Sequence, residues 1–593
     1  MAYVLREAHS TWNDKIGFAA TGQLSWTPKY SEEDVGISQY MKKRTQGIHG
    51  VLKGTWSDFV VQEVRIDDQR VVNLPADDQV KAEDMKEGKA AARQKWLKFT
   101  LCKMGLDTIS AIRIIARMAN IPYTSFRFAG IKDKYGITLQ EVTLMSHYSH
   151  RFRDLVSSEY KVKNGKIWIS EVENCSRPLH SGELYGNRFV VVLRNVTLDH
   201  KTMHRSVRRL RKGGFLNYFG MQRFGGGSIP SLEAGRHLLL MNHSAFVQSI
   251  MSTRLSTNKQ EIEAKELYEK NGSLEEVMHL LPSYCIAEKQ FLEARLQGNP
   301  LQAAVSAIPF KSLFVQSYLS GLWNEACSYR IKRYGSKQAV EGDIILLETI
   351  GGGQKGKKMQ KIKIVSEQDA KNRTYSILDV VLPMFAEGRR VVLPRNRMGK
   401  WLKKRMKVEN IMHTMKVVEI EDVDGCCVSV DQEDCEDEMQ TRPSKATRSK
   451  TFTEVCKFRH VVVRPQRMRS SVRRYSSVDD AVFRGLSEDL MNGGEGDFTA
   501  LVLSFTLPAG CYATMALREI MRTETSHHYH YSLFREQLVL FARSNSTIAK
   551  ISRARQERKK LTKRKRRRVR NDDFVLPFKT VFNVQANDIE KTA

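Results

Sequence analysis

The amino-acid sequence predicts an α+β protein, with a β-rich body drawn from the first and last thirds of the chain and a mostly helical α/β domain inserted between them. Three observations lead there. Strand-like alternation of apolar and polar residues is concentrated in GVLKGTWSDFVVQEV (50–64), RFVVVLRNV (188–196), KFRHVVVRP (457–465) and DFTALVLSFTLP (497–508). Helical spacing dominates residues 230–335. The length of 593 residues calls for several compact units, because domains run at about 100–200 residues. The expected division is a body of 1–211 and 461–523, an insert of 212–460 and a C-terminal extension of 524–593.

In chain order, residues 50–64 read as a strand. Residues 108–121 read as a helix, with Ile109, Ile112, Ile115 and Met118 on one face and Arg113 and Arg117 outside it. TSFRFAGIKDKYGITLQEVTLM (124–145) reads as a strand, a tight loop and a second strand, so Asp133 falls on a loop. Loops on a rigid scaffold commonly carry catalytic groups. In the insert, GGGQKGKK (351–358) lacks the full G-x-x-x-x-G-K-[ST] arrangement, and no nucleotide-phosphate site is expected there. Residues 422–450 are polar, first acidic and then basic, which suits a disordered loop. Near the end, Pro508, Ala509 and Gly510 break a strand, and ATMALREIM (513–521) follows as a helix. His527, His528 and His530 point in different directions on either a helix or a strand, so a metal site is not expected.

The formal net charge is +30 and the pI is about 9.7, which predicts a polyanionic partner, nucleic acid first. Residues 553–570 hold twelve Arg or Lys against one acid, Glu557, a net +11 that leaves +19 for the rest. The cations of this run include Arg553, Arg558, Lys559, Lys560, Lys563, Arg564, Lys565, Arg566, Arg567 and Arg568. Such a run serves as a nuclear address or as an RNA contact, and the sequence leaves both open. The nine cysteines contain no C-x-x-C pair and read as free thiols of a reducing compartment, Cys426, Cys427 and Cys435 included. No apolar run reaches the roughly 18–20 residues of a membrane span, and the N-terminus shows no secretory h-region, so no membrane partner is expected.

Asp133 is the most informative residue. It lies in AGIKDKYGITLQ between Lys132 and Lys134, after Gly130. Positive neighbours favour the carboxylate, and an ionised acid beside phosphate-attracting lysines suits a nucleophile or base that works on RNA. The competing reading is a solvated charge cluster on a surface loop.

Five phrases together carry a resemblance. EEDVGISQY with GIHGVLKGTWSDFVVQEV, then AGIKDKYGITLQ, YGNRF, NYFGMQRFG and LPAGCYATMALRE occur in order between Glu32 and Glu519. They are similar to the landmarks of the TruD family of pseudouridine synthases, in particular its eukaryotic branch. The resemblance implies a pseudouridine-synthase catalytic domain, with an antiparallel sheet, interrupted by a family-specific domain that starts near NYFGMQRFG. It implies that Asp133 is the catalytic aspartate and Lys53 a basic residue beside it. Asn187 and Phe189 would line the uridine pocket, and Tyr512 would stand at the base-binding cleft. Aromatic rings there would stack on or buttress the extruded base, whereas the residues alone also allow plain core aromatics. Leu216 replaces a family proline, Gly136-Ile137 replaces Ala-Val, and Leu319, Ser320 and Gly321 depart from the pattern in the insert, which bears on target choice.

The expected activity is isomerisation of uridine to pseudouridine, which needs no redox group, metal or other cofactor. The expected partner is RNA, tRNA near the D arm foremost, with spliceosomal or messenger RNA as further targets. The protein is expected to be a monomer and nuclear, with a cytoplasmic or mitochondrial location as the alternatives. A non-catalytic RNA-binding or ribosome-assembly protein on the same scaffold is the alternative.

Overall fold

β-Branched and aromatic residues in alternation produce the strands of the first third: β1 (Val51–Leu52), β2 (Phe59–Val64), β3 (Trp96–Met104), β4 (Phe126–Phe128), β5 (Ile137–Met145), β6 (Glu159–Val162), β7 (Gly165–Cys175) and β8 (Gly186–Arg194). Next come β9 (Phe215–Leu216), β10 (Ile344–Ile350), β11 (Lys358–Ile364), β12 (Val380–Pro383), β13 (Arg390–Val392), β14 (Lys416–Val418), β15 (Cys426–Val430) and β16 (Phe458–His460). The last are β17 (Val462–Val463), β18 (Gln466–Tyr475) and β19 (Phe498–Pro508). The structure is a computed structural model that describes residues 30–74, 95–156, 159–162, 165–225, 227–350, 358–418, 426–430, 456–477, 480, 482, 493–526, 529–530 and 532–537. The described residues up to Ser532 form one compact unit, and the described residues 533–537 fall in a second.

A ten-stranded sheet runs β18-β19-β8-β2-β5-β3-β7-β6, with β1 on β8 and β4 on β5. Its strands therefore come from both ends of the sequence, and β19 pairs with β8 along eight residues from Leu501↔Leu193 to Pro508↔Gly186. The expectation of an antiparallel sheet needs one correction: β2 and β5 are parallel. The chain between them, which includes β3 and a helix, supplies the long crossover that parallel strands require. Residues 212–460 carry helices from Ser231–Leu239 to Ser312–Tyr334, then a five-stranded sheet in the order β15-β11-β10-β12-β16.

Two local expectations change. The helix Thr108–Met118 is capped by the Asp107 side chain, which accepts from the Ser110 backbone N–H at 2.8 Å. Its buried residues are Thr108, Ala111, Ile112, Ile115 and Ala116, while Met118 is 42% exposed. The apolar stripe is thus rotated from the one read by spacing, because small alanines let the helix lie close to the sheet. Part of 422–450 is ordered: Cys426–Val430 extends the insert sheet by pairing with β11, and the rest lies outside the described residues. Residues 351–357, between β10 and β11, also lie outside them.

Directly paired residues share a face of a sheet. Pairing places Phe59, Val61 and Glu63 of β2, Asn187, Phe189 and Val191 of β8, Thr138, Gln140 and Val142 of β5, and Phe99, Leu101 and Lys103 of β3 on one face. One apolar cluster on that face joins Phe59, Phe189 and Phe505 to the helices His200–Gly213 and Ala513–Met521. A second joins Phe99, Leu101 and Val142 to the helix Thr108–Met118. Between the two lies a belt of polar side chains, Lys103, Thr138, Gln140, Glu63 and Asn187.

Candidate active site

The loop of residues 129–136 crosses this polar belt between β4 and β5. Lys103, fully buried, holds it from below. Its ammonium donates to the carbonyl oxygens of Leu106 at 2.8 Å, Lys132 at 3.3 Å and Asp133 at 2.9 Å. Burial pushes this ammonium down to about 7, against the pull of Asp133 and Asp107. The Lys132 backbone N–H donates to Thr108 Oγ1 at 2.9 Å, and that hydroxyl donates to Gln140 Oε1 at 2.8 Å. Gln140 Nε2 donates in turn to the Gly130 carbonyl at 3.0 Å. Gly136 closes the loop with φ +149°, where a Cβ would stand 2.3 Å from the Phe59 carbonyl oxygen. Only glycine permits that approach.

Asp133 faces outward, with 29% of its side chain exposed, and its Oδ2 lies 3.8 Å from Lys53 Nζ. Lys53 sits in a left-handed turn at φ +58°, and its ammonium lies 4.0 Å over the Phe59 ring. The aromatic face and the carboxylate fix the cation between them. Tyr135 stacks on Trp56 at 6.0 Å and 11°, covering one side of the loop.

Lys132 corrects a sequence expectation. It is not a phosphate-attracting neighbour of Asp133, since its side chain turns inward to Glu63 Oε2 at 2.7 Å and Asn187 Oδ1 at 2.9 Å. Glu63, almost fully buried, requires that counter-charge. Lysine only donates, so Asn187 must offer Lys132 its oxygen and direct its amide NH2 elsewhere. Lys134 is exposed.

Phe189 is 5% exposed. Its ring lies between Phe59 at 6.1 Å and Phe505 at 5.7 Å, so it is a floor residue and not an open stacking face. Tyr512 is half-buried at the N-terminal end of the helix Ala513–Met521 and meets Phe219 edge-on at 6.3 Å. The NYFG and CYAT phrases are neighbours in space, since a Cβ on Gly220 would lie 2.9 Å from Tyr512 Cδ1. Arg459 joins them. It donates to Asn217 O at 2.9 Å, Asn217 Oδ1 at 2.9 Å and Gly510 O at 2.7 Å, with its guanidinium carbon 4.2 Å from the Phe219 ring centroid.

The structure thus brings Lys53 to Asp133 and Lys132 to Asn187, sets Phe189 against the Phe59 ring that Lys53 covers, and joins Tyr512 to Phe219. The tail cations Arg553 to Arg568 lie outside the described residues. Sequence reasoning missed Lys103, Glu63 and Arg459.

The family profile for tRNA pseudouridine synthase D (TruD) matches residues 34–424. The chain belongs to the TruD family. A Homo sapiens pseudouridylate synthase 7 homolog is 25% identical over 590 residues, covering 84% of this chain and 82% of that protein. The multisubstrate pseudouridine synthase 7 of Schizosaccharomyces pombe is 26% identical over 517 residues, covering 83% and 70%. Among solved structures, a Methanosarcina mazei protein assigned as TruD superposes with a TM-score of 0.51 at 20% identity. It covers 84% of this chain and 99% of its own, and it supports the α+β fold. This TruD-family chain is a pseudouridine synthase, an isomerase that acts on RNA.

Proposed function

We propose that this synthase converts uridine to pseudouridine in tRNA, near the D arm, with Asp133 as its essential carboxylate. The observation that carries the reading is a partly exposed acid on a loop anchored through its own carbonyl, paired with one lysine and set over an aromatic floor. The isomerisation breaks the C1′–N1 bond, turns the uracil and forms a C1′–C5 bond, and the proton leaving C5 is balanced by one gained at N1. Asp133 acts either as a nucleophile at the sugar or as a base that yields a glycal, and both routes need the charged carboxylate. Lys53 orients it. Asn187 shapes the pocket by hydrogen bonding, Phe189 buttresses it, and Tyr512 borders the base cleft. The division into 1–211 with 461–523 around an insert of 212–460 belongs to the same proposal, as does a monomeric state.

The multisubstrate name of the S. pombe relative favours more than one target, and spliceosomal and messenger RNA are the further candidates. The cationic run of residues 553–570 favours nuclear residence. Asp133→Asn is the test. It should abolish pseudouridine formation on a tRNA transcript while RNA binding persists, and nucleotide-resolution mapping locates the product. Substantial product from that variant defeats the catalytic assignment, and product outside the D arm redirects the substrate.

A further inference from the structure

The helix His200–Gly213, HKTMHRSVRRLRKG, contains no acid. It starts on the Asp199 cap, which accepts from the Thr202 backbone N–H at 2.9 Å. It ends at Gly214, φ +77°, whose N–H reaches the Leu210 carbonyl at 2.9 Å. Lys201, Arg205, Arg208, Arg211 and Lys212 are exposed, and none has an ion pair or hydrogen-bond partner among the described residues. Lys201 and Arg205, Arg205 and Arg208, Arg208 and Arg211, and Arg208 and Lys212 stand three or four residues apart, so like charges adjoin along one exposed face of the helix. An isolated surface gains nothing from that repulsion, and a polyanion relieves it.

The apolar side of the helix decides which polyanion. Met203, Val207 and Leu210 are at most 7% exposed and belong to the cluster on the site-bearing face of the main sheet. A membrane-surface helix must free its apolar face to insert, and this one is committed to the core. Position decides the rest. Lys212 precedes Asn217 by five residues, a span of at most about 18 Å even fully extended, and Asn217 is held by Arg459 beside the Tyr512 segment. The C-terminal end of this helix, about 21 Å long, therefore lies within that reach of the Asn217–Arg459 assembly beside the Tyr512 segment.

We infer that the exposed face of the helix His200–Gly213 is a track for the phosphate backbone of the RNA substrate beyond the modified nucleotide. This rests on the reading of the protein as an RNA pseudouridine synthase and names a surface for the part of the RNA that the pocket does not hold. The track acts on substrate capture and not on the chemical step.

The test is the full-length variant Arg205→Gln/Arg208→Gln/Arg211→Gln/Lys212→Gln. Glutamine keeps helix propensity, and Arg209 is left in place. Rates are measured on a full-length tRNA transcript and on the excised D-arm stem-loop, from about 50 to about 200 mM salt, with filter binding in parallel. The slope of log KM against log salt should fall by about 3 on the transcript, from about 0.7–0.9 per lost phosphate contact. The kcat should be unchanged, and the stem-loop should respond little. An unchanged slope on the transcript overturns the track. So does an equal loss of kcat and thermal stability on both RNAs, which would mark a structural role. Loss of binding to phosphatidylserine vesicles with the RNA slope intact would assign the face to a membrane and overturn it too. Inactivity of the wild-type protein on both RNAs would defeat the functional reading instead, and the filter-binding slope would still judge the track.

Discussion

Replacing Lys103 by methionine tests whether a buried ammonium holds the Asp133 loop. The side chain is fully buried and its ammonium falls from an ordinary 10.5 to about 7 because burial disfavours the charge. The folded value lies below the unfolded one, so between pH 7 and 10.5 the unfolded chain binds the extra proton. Stability from this group therefore rises with pH through that window, by up to about 1.4 kcal/mol per pH unit. From half-protonation near pH 7 to neutrality at pH 9, the gain is about 2 kcal/mol. Methionine has no such term. Urea unfolding of both proteins, followed by tryptophan fluorescence at each pH, should show the wild type gaining about 2 kcal/mol on the variant between pH 7 and pH 9. A gap that stays constant to within about 0.5 kcal/mol would refute the argument, since that is less than half a pH unit of linkage. The variant also strips the Lys132 and Asp133 carbonyls of their donor. Its kcat should fall by roughly 10- to 100-fold, the scale of a misplacement near 1 Å.

Two further substitutions probe the neighbourhood. Gly136→Ala drives a Cβ to 2.3 Å from the Phe59 carbonyl oxygen at φ +149°, so the loop must lift from β2. A fall of about 100-fold in kcat/KM is expected, with far-UV circular dichroism unchanged, and activity within twofold of wild type would count against it. Arg459→Lys keeps the charge but cannot span Asn217 and Gly510 together. It should cost about 3 kcal/mol of stability by chemical denaturation, and a loss below about 1 kcal/mol would show that water replaces the lost donors.

Much of the site was legible. The AGIKDKYGITLQ phrase places Asp133 on an inter-strand loop, and the strand alternation foresees β2, β8 and β19 of the main sheet. Two of the missed residues, Lys103 and Glu63, share one trait. Lys103 continues the inward row of Leu97, Phe99 and Leu101, and Glu63 continues that of Phe59 and Val61. Asn187 precedes Phe189, Val191 and Leu193 in the same way. A polar residue at the inward parity of an apolar strand was a signal available in the sequence. Charge alone reads as surface, so it was passed over, and Lys132 was assigned to phosphate for the same reason. For Phe189 the sequence left stacking and buttressing both open, because a ring in such a phrase does not reveal that Phe59 and Phe505 flank it. Arg459 was out of reach, since its partners come from segments 242 and 51 residues away.

The seating of β8 between β2 and β19 has a consequence for synthesis on the ribosome. β8 is complete at Arg194, but its second neighbour ends at Pro508, 314 residues later. At roughly 5–20 residues per second, translation leaves that edge unpaired for about 16–63 s. During this interval the nascent chain exposes a Val- and Phe-rich strand edge, the kind that templates aggregation. The sheet that carries the Asp133 loop is therefore completed last, and truncation before residue 508 should yield a chaperone-dependent polypeptide and not a weakened enzyme.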